Sequence, residues 1–229
     1  MKRISSIVAA LLLFSISTFA ETITFRADRM TGSTKKSGDI TTLQGNAIIK
    51  TEDMELTADL IELSGKDFRN IRAQGNITGK IISSQMDFSC EDMSYDRTSK
   101  IARLQNGVHL VDHQNDVEAD ADLVDYNQNT DVAILQIGVS LTQKDNHCTA
   151  SYALYQKKNQ TLTLTGNPQV KQGENTFRAQ EIILNLDTQE ITLDGRVRGS
   201  VTTEENSQNT EQPAQSGTPT NASEGTNGR

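Results

Sequence analysis

Metal ligation needs His, Cys or carboxylates at ligand spacing, and this 229-residue sequence offers few candidates. Its histidines are His109, His113 and His147, and its cysteines are Cys90 and Cys148. His147 and Cys148 are adjacent in a stretch with strand periodicity, where neighbouring side chains point to opposite faces. They do not make a zinc site. Asp125-x-Asn127-x-Asn129-Thr130-Asp131 matches the opening of a calcium loop in part. Thr130 stands where that loop needs Gly, and Gln136 where it needs Glu. The acids Asp116, Glu118, Asp120, Asp122 and Asp125 read as solvated strand faces and turns, which also discourage edge aggregation. No carboxylate pair or His/Lys/Arg cluster recurs that would do acid–base chemistry. No Gly-rich loop precedes a Lys-Ser/Thr pair. The reading is a protein that is not an enzyme, with no catalytic residues, no cofactor and no metal.

The formal net charge is −8. Lys2 and Arg3, the apolar run Ile7 to Phe14 and the small-residue site Thr18-Phe19-Ala20 have the layout of a secretory signal. Residues 1–20 are therefore expected to be removed, which takes the net charge to −10. Such a chain does not seek phosphate backbones, so nucleic acid is excluded as a partner. Apolar residues make up 34% of the chain, aromatics 4%, and Trp is absent. One large round core is not expected from that composition. A thin, extended architecture is. From 202 to 229 the apolar residues are Ala214 and Ala222, so this segment reads as a disordered polar tail.

Residues 21–201 carry a repeat of about 30 residues, which should decide the fold. One motif, apolar-x-apolar around a Gly/Asn pair, leads from Leu43, Ala73, Leu104, Leu135, Leu164 and Leu193. Those leaders are 30, 31, 31, 29 and 29 residues apart. A second motif, apolar-x-small-x-x-apolar-x-apolar, alternates with it. Its copies are Leu56/Ala58/Ile61/Leu63, Phe88/Cys90/Met93/Tyr95, Ala119/Ala121/Val124/Tyr126, Cys148/Ala150/Ala153/Tyr155 and Phe177/Ala179/Ile182/Leu184. Phe25, Ala27 and Met30 form a truncated first copy.

Both motifs have period two, the signature of strands with one buried face. The second breaks parity by a three-residue step, which demands a bulge or bend to keep apolar residues inward. The Gly/Asn pair of the first motif supplies the matching corner, since both residues tolerate positive φ. Short polar turns at 96–100, 127–131, 156–160 and 187–190 favour antiparallel neighbours. The expectation is twelve bent strands stacked over roughly 55 Å, folded around an apolar trough, with unpaired edges near 22–30 and 190–201. Cys90 and Cys148 would sit four strands apart, roughly 19 Å. That separation excludes a disulfide and leaves two buried thiols.

The series Ala27-Asp28, Gly45-Asn46, Ala58-Asp59, Gly75-Asn76 and Gly166-Asn167 resembles the LptA/OstA-like β-jellyroll family of lipopolysaccharide transport. The resemblance covers most of 21–201 and none of the tail. It implies an all-β fold, a V-shaped antiparallel stack with a hydrophobic trough. It implies a periplasmic bridge that binds acyl chains of lipopolysaccharide or lipooligosaccharide and passes the lipid from inner to outer membrane. Implied partners are inner-membrane LptC-like and outer-membrane LptD-like proteins, met through edge strands, with a head-to-tail homo-oligomer as a further possibility. Apolar inward residues would take alkyl chains at about 0.8 kcal/mol per CH₂, and the many small residues would leave room between the walls. The candidate lipid-binding residues, away from the corners, are Phe25, Leu56, Ile61, Phe88, Met93, Val124, Phe177 and Ile182. Three rival readings stay open here: an anchored LptC-like subunit, an exported β-repeat scaffold with a filled core, and a carbohydrate-active β-solenoid.

Overall fold

A computed structural model describes residues 22–33 and 40–202. The expected signal at 1–20 and all but the first residue of the expected tail lie outside them. The strands are β1 (Thr24–Arg26), β2 (Arg29–Ser33), β3 (Ile40–Lys50), β4 (Met54–Ser64), β5 (Asn70–Ile81) and β6 (Met86–Asp96). They continue as β7 (Ile101–Asp112), β8 (Val117–Asn127), β9 (Val132–Gln143), β10 (Asn146–Gln156) and β11 (Thr161–Thr165). The last are β12 (Gln169–Gln172), β13 (Asn175–Arg178), β14 (Glu181–Asn185), β15 (Ile191–Asp194) and β16 (Arg198–Ser200). Two single 3₁₀ turns, Lys66–Phe68 and Lys157–Asn159, sit in the connections. No helix among the described residues is long and apolar enough to cross a membrane.

All strands belong to one antiparallel sheet. Pairs β1/β2, β11/β12, β13/β14 and β15/β16 are the two limbs of single bent strands, so the sixteen segments make the twelve expected. The bend falls where the parity argument puts it. Register slips between Thr57 and Leu60 of β4 against β5, and between Ser89 and Asp92 of β6 against β7. In the facing strand two successive residues are left-handed: Gly45/Asn46, Gly75/Asn76, Asn106/Gly107, Ile137/Gly138, Gly166/Asn167 and Gly195/Arg196.

Hydrogen bonds join the two motifs across each of the first three corners. The Asn46 amide donates to Asp28 at 2.8 Å, Asn76 to Asp59 at 2.8 Å, and Asn106 to Asp92 at 2.6 Å. A Cβ on Gly75, already at φ 78°, would lie 2.6 Å from the Asp59 carboxylate. The Gly/Asn and Ala-Asp signatures are thus two sides of one joint. Ile137 breaks the rule, a β-branched residue at φ 67° and mostly exposed. A left-handed conformation costs such a residue roughly 1–2 kcal/mol. Ile137→Asn should therefore raise unfolding stability by about 1 kcal/mol, read as a higher urea midpoint at unchanged slope.

The corners fold the sheet lengthwise into two limbs. One limb runs β1, then the second half of β3, the first of β4 and so on to β12, β13 and β16. The other runs from β2 to β11, β14 and β15. Alternate residues of both limbs point into a single continuous core.

Candidate functional site

The interior is lined mainly by apolar side chains. Leu56, Ile61, Val124 and Ile182 are fully buried, and Phe88 and Met93 nearly so. Phe25 and Phe177 depart from expectation. Phe25 is 44% exposed because, among the described residues, β1 pairs only with β3. Phe177 is half-buried on β13, next to the short terminal strand β16. The structure thus places six of the eight candidates in the core and two near its ends.

The room expected between the walls is not there. The central void, lined from one limb by Met54, Ile81 and Met86 and from the other by Met93, Leu104 and Tyr126, measures about 10 Å³. That is about one water molecule, whereas small-molecule sites run to roughly 300–1,000 Å³. Large side chains fill the space over small neighbours: the Phe88 ring lies across Gly79, its strand partner, where a Cβ would collide with it.

The open side of the folded sheet is closed by a polar seam that the sequence reading did not anticipate. Turns at 51–53, 82–85, 113–116 and 144–145 form one rim, and turns at 65–69, 97–100, 128–131, 157–160 and 186–190 the other. Within each rim successive turns are stitched by backbone bonds, such as Ile82 N–H to Asp53 O and Gln128 N–H to Lys100 O. Between rims, the hydrogen bonds found among the described residues use side chains. Lys100 reaches Asp53 at 2.5 Å. The Gln128 amide donates to the Ser83 hydroxyl at 2.9 Å, and Ser84 bonds both the Tyr126 hydroxyl and the Asp131 carboxylate. Lys157 pairs with Asp112 at 2.5 Å, both buried, and the Tyr155 hydroxyl donates to Asp112 at 2.8 Å. Gln143 donates to the Leu186 carbonyl and Asn146 to the Gln189 side chain. One signal lay in the sequence: Tyr95, Tyr126 and Tyr155 hold the same repeat position, an apolar ring near a turn carrying a hydroxyl.

Charges and buried acids follow from this arrangement. Burial, then the neighbouring carboxylates Asp131 and Asp112, push the Tyr126 and Tyr155 phenols well above their ordinary range. Asp131 is held below the carboxylate range: burial opposes this, but bonds from Tyr126, Ser84 and Lys158 outweigh it. Asp96 is held well below by the Arg69 guanidinium. Depressed folded values mean stability complete above about pH 4 and lost as pH falls through those values. Circular dichroism on acid titration should therefore stay flat to about pH 4 and decline only below it.

The motifs singled out for metals are otherwise employed. Asn127 caps its own turn through the Asn129 and Thr130 N–H groups, and Asp131 belongs to the seam. His109 pairs across strands with Asp120, and His113 with Asp87. Asp125 of the acidic run pairs with Arg103. Among the described residues no group of three metal-ligating side chains converges. Cys90 and Cys148 are free and buried on β6 and β10, four strands apart. Burial pushes their thiols up to about 11 and about 12, which suppresses the reactive thiolate.

The sequence matches the family model for the LptA/(LptD N-terminal domain) LPS transport protein over residues 24–152 and again over 124–190. The chain belongs to this family. Overlapping matches are what a 30-residue repeat produces when one pattern fits in two registers. The family is one of transport proteins and not of enzymes, and its β-jellyroll is the all-β stack described above. Among solved structures, a match is the crystal structure of LptH from Pseudomonas aeruginosa, described as the LptA homologous periplasmic component of the conserved lipopolysaccharide transport device. It is 11% identical, covers 80% of this chain and 96% of its own, and has a TM-score of 0.25. No curated protein sequence matches the chain.

Proposed function

We propose that this family member binds the acyl chains of lipopolysaccharide, or of a related glycolipid, between its two limbs. It passes the lipid across the periplasm from the inner to the outer membrane. The observation that carries this reading is an apolar core continuous from β3 to β14, with Ile23, Ala27, Ile191 and Leu193 at its ends packed against it and edges left unpaired among the described residues. Among the described residues, β1 and β2 pair only with β3 at one end, and β15 and β16 only with β14 and β13 at the other. Phe25, Leu56, Ile61, Phe88, Met93, Val124, Phe177 and Ile182 are the proposed lipid contacts. Residues 1–20 are the proposed export signal, 21–201 the transport domain and 202–229 a polar tail. Intact mass of the exported protein separates a cleaved signal from an LptC-like anchor.

The edges are the proposed contacts for LptC-like and LptD-like neighbours, or for a second copy. Twelve strands is an even number, so an incoming β1 would continue the antiparallel alternation beside β16. Extending the β5–β6 register, in which Gly79 faces Phe88, sets an incoming Phe25 against Gly199 and an incoming Arg29 against Asp194. The exposed Phe25 and Met30 would be covered in that junction.

A photocrosslinker at Ile61, Phe88 or Val124 should capture the lipid in cells. No adduct at any of the three would sink the transport reading. It would leave a second reading, which the 10 Å³ void favours: an exported scaffold with a permanently filled core.

A further inference from the structure

An acyl chain does not fit a void of one water, so the limbs must part to admit it. Along the sheet, neighbouring full-length strands share backbone ladders of nine or ten residue pairs, as between β7 and β8. Across the mouth, among the described residues, the bonds involve side chains. The seam is therefore the line of separation. Two of its crossings are ion pairs of the same polarity: Lys100 and Lys157 on one rim face Asp53 and Asp112 on the other.

We propose that the seam is a headgroup subsite, in which Lys100 and Lys157 exchange Asp53 and Asp112 for the phosphate oxygens of an amphiphile whose chains enter between the limbs. This rests on the lipid-binding reading above and adds the chemistry of the head. Swapping one anion for another keeps a charge-assisted partner on each ammonium as the rims separate, which an uncharged head cannot supply. Ammonium–phosphate bonds are charge-assisted and stronger than neutral ones. The two lysines lie four strands apart, roughly 19 Å. They are two successive stations along the mouth rather than one pocket.

Calorimetric titration of the exported protein with dodecyl phosphate, the uncharged dodecyl maltoside and inorganic phosphate tests this. Wild type should bind dodecyl phosphate about tenfold more tightly than the maltoside, the worth of one charge-assisted bond. Inorganic phosphate should not bind, because without chains the seam stays shut. Lys100→Gln should halve the amount of dodecyl phosphate bound with that preference, leaving the Lys157 station intact, and Asp53→Asn should strengthen dodecyl phosphate binding by removing the competing carboxylate. Lys157→Gln, checked for folding by circular dichroism, should act as Lys100→Gln does. Both Lys100→Gln and Asp53→Asn abolish the same ion pair, so a merely structural seam would move them in one direction. That result, or inorganic phosphate binding as tightly as dodecyl phosphate, overturns the headgroup subsite alone. If wild type binds neither amphiphile, the lipid-binding reading fails with it.

Discussion

Lys157→Met should lower the free energy of unfolding by about 3 kcal/mol in urea, the largest single effect expected from a seam substitution. The variant leaves the Asp112 carboxylate buried without its ammonium, and breaking a buried pair typically costs roughly 3–5 kcal/mol. The lower end applies because Asp112 keeps the Tyr155 hydroxyl and the N–H groups of Gln114 and Asn115. Adding Asp112→Asn should recover most of the loss, since the amide oxygen can still cap the 113–116 turn while the stranded charge is gone. A loss below about 1 kcal/mol for Lys157→Met would mean that water already reaches the pair, and that the mouth stands open.

Gly79→Val should cost about 1–3 kcal/mol, for a steric rather than an electrostatic reason. Any Cβ at position 79 meets the Phe88 ring, and Phe88 lines the small central void together with Met54, Ile81 and Leu110. Phe88→Ala alone should cost roughly 3–5 kcal/mol. Together the two should cost clearly less than their sum, because valine then occupies part of the space the ring vacates. Strict additivity would show that the ring does not rest on Gly79 in solution.

Much of this molecule could be read along the chain. The three-residue step at Ala58–Ile61 required a bulge, because period-two side chains change faces at any odd step. The Gly/Asn pairs required left-handed corners, because few other residues adopt positive φ cheaply. Turn positions followed from polar runs between alternating segments. Phe25 marks what alternation leaves open: it tells which face a side chain takes, not whether a neighbouring strand covers it. Ile137 shows the corner geometry overriding residue preference, since the repeat on either side dictates the bend.

The seam was not legible in the same way. Asp53 and Lys100 are 47 residues apart, and Asp112 and Lys157 are 45. No short-range pattern marks such pairs, and each residue alone reads as an ordinary polar turn. What the sequence determined by itself is therefore the strand count, the corners, the apolar lining and the free edges, all set by local periodicity and backbone preference. Only the tertiary structure decided how far apart the limbs stand and what joins their rims. That separation depends on side chains meeting across the fold, which one-dimensional spacing does not encode.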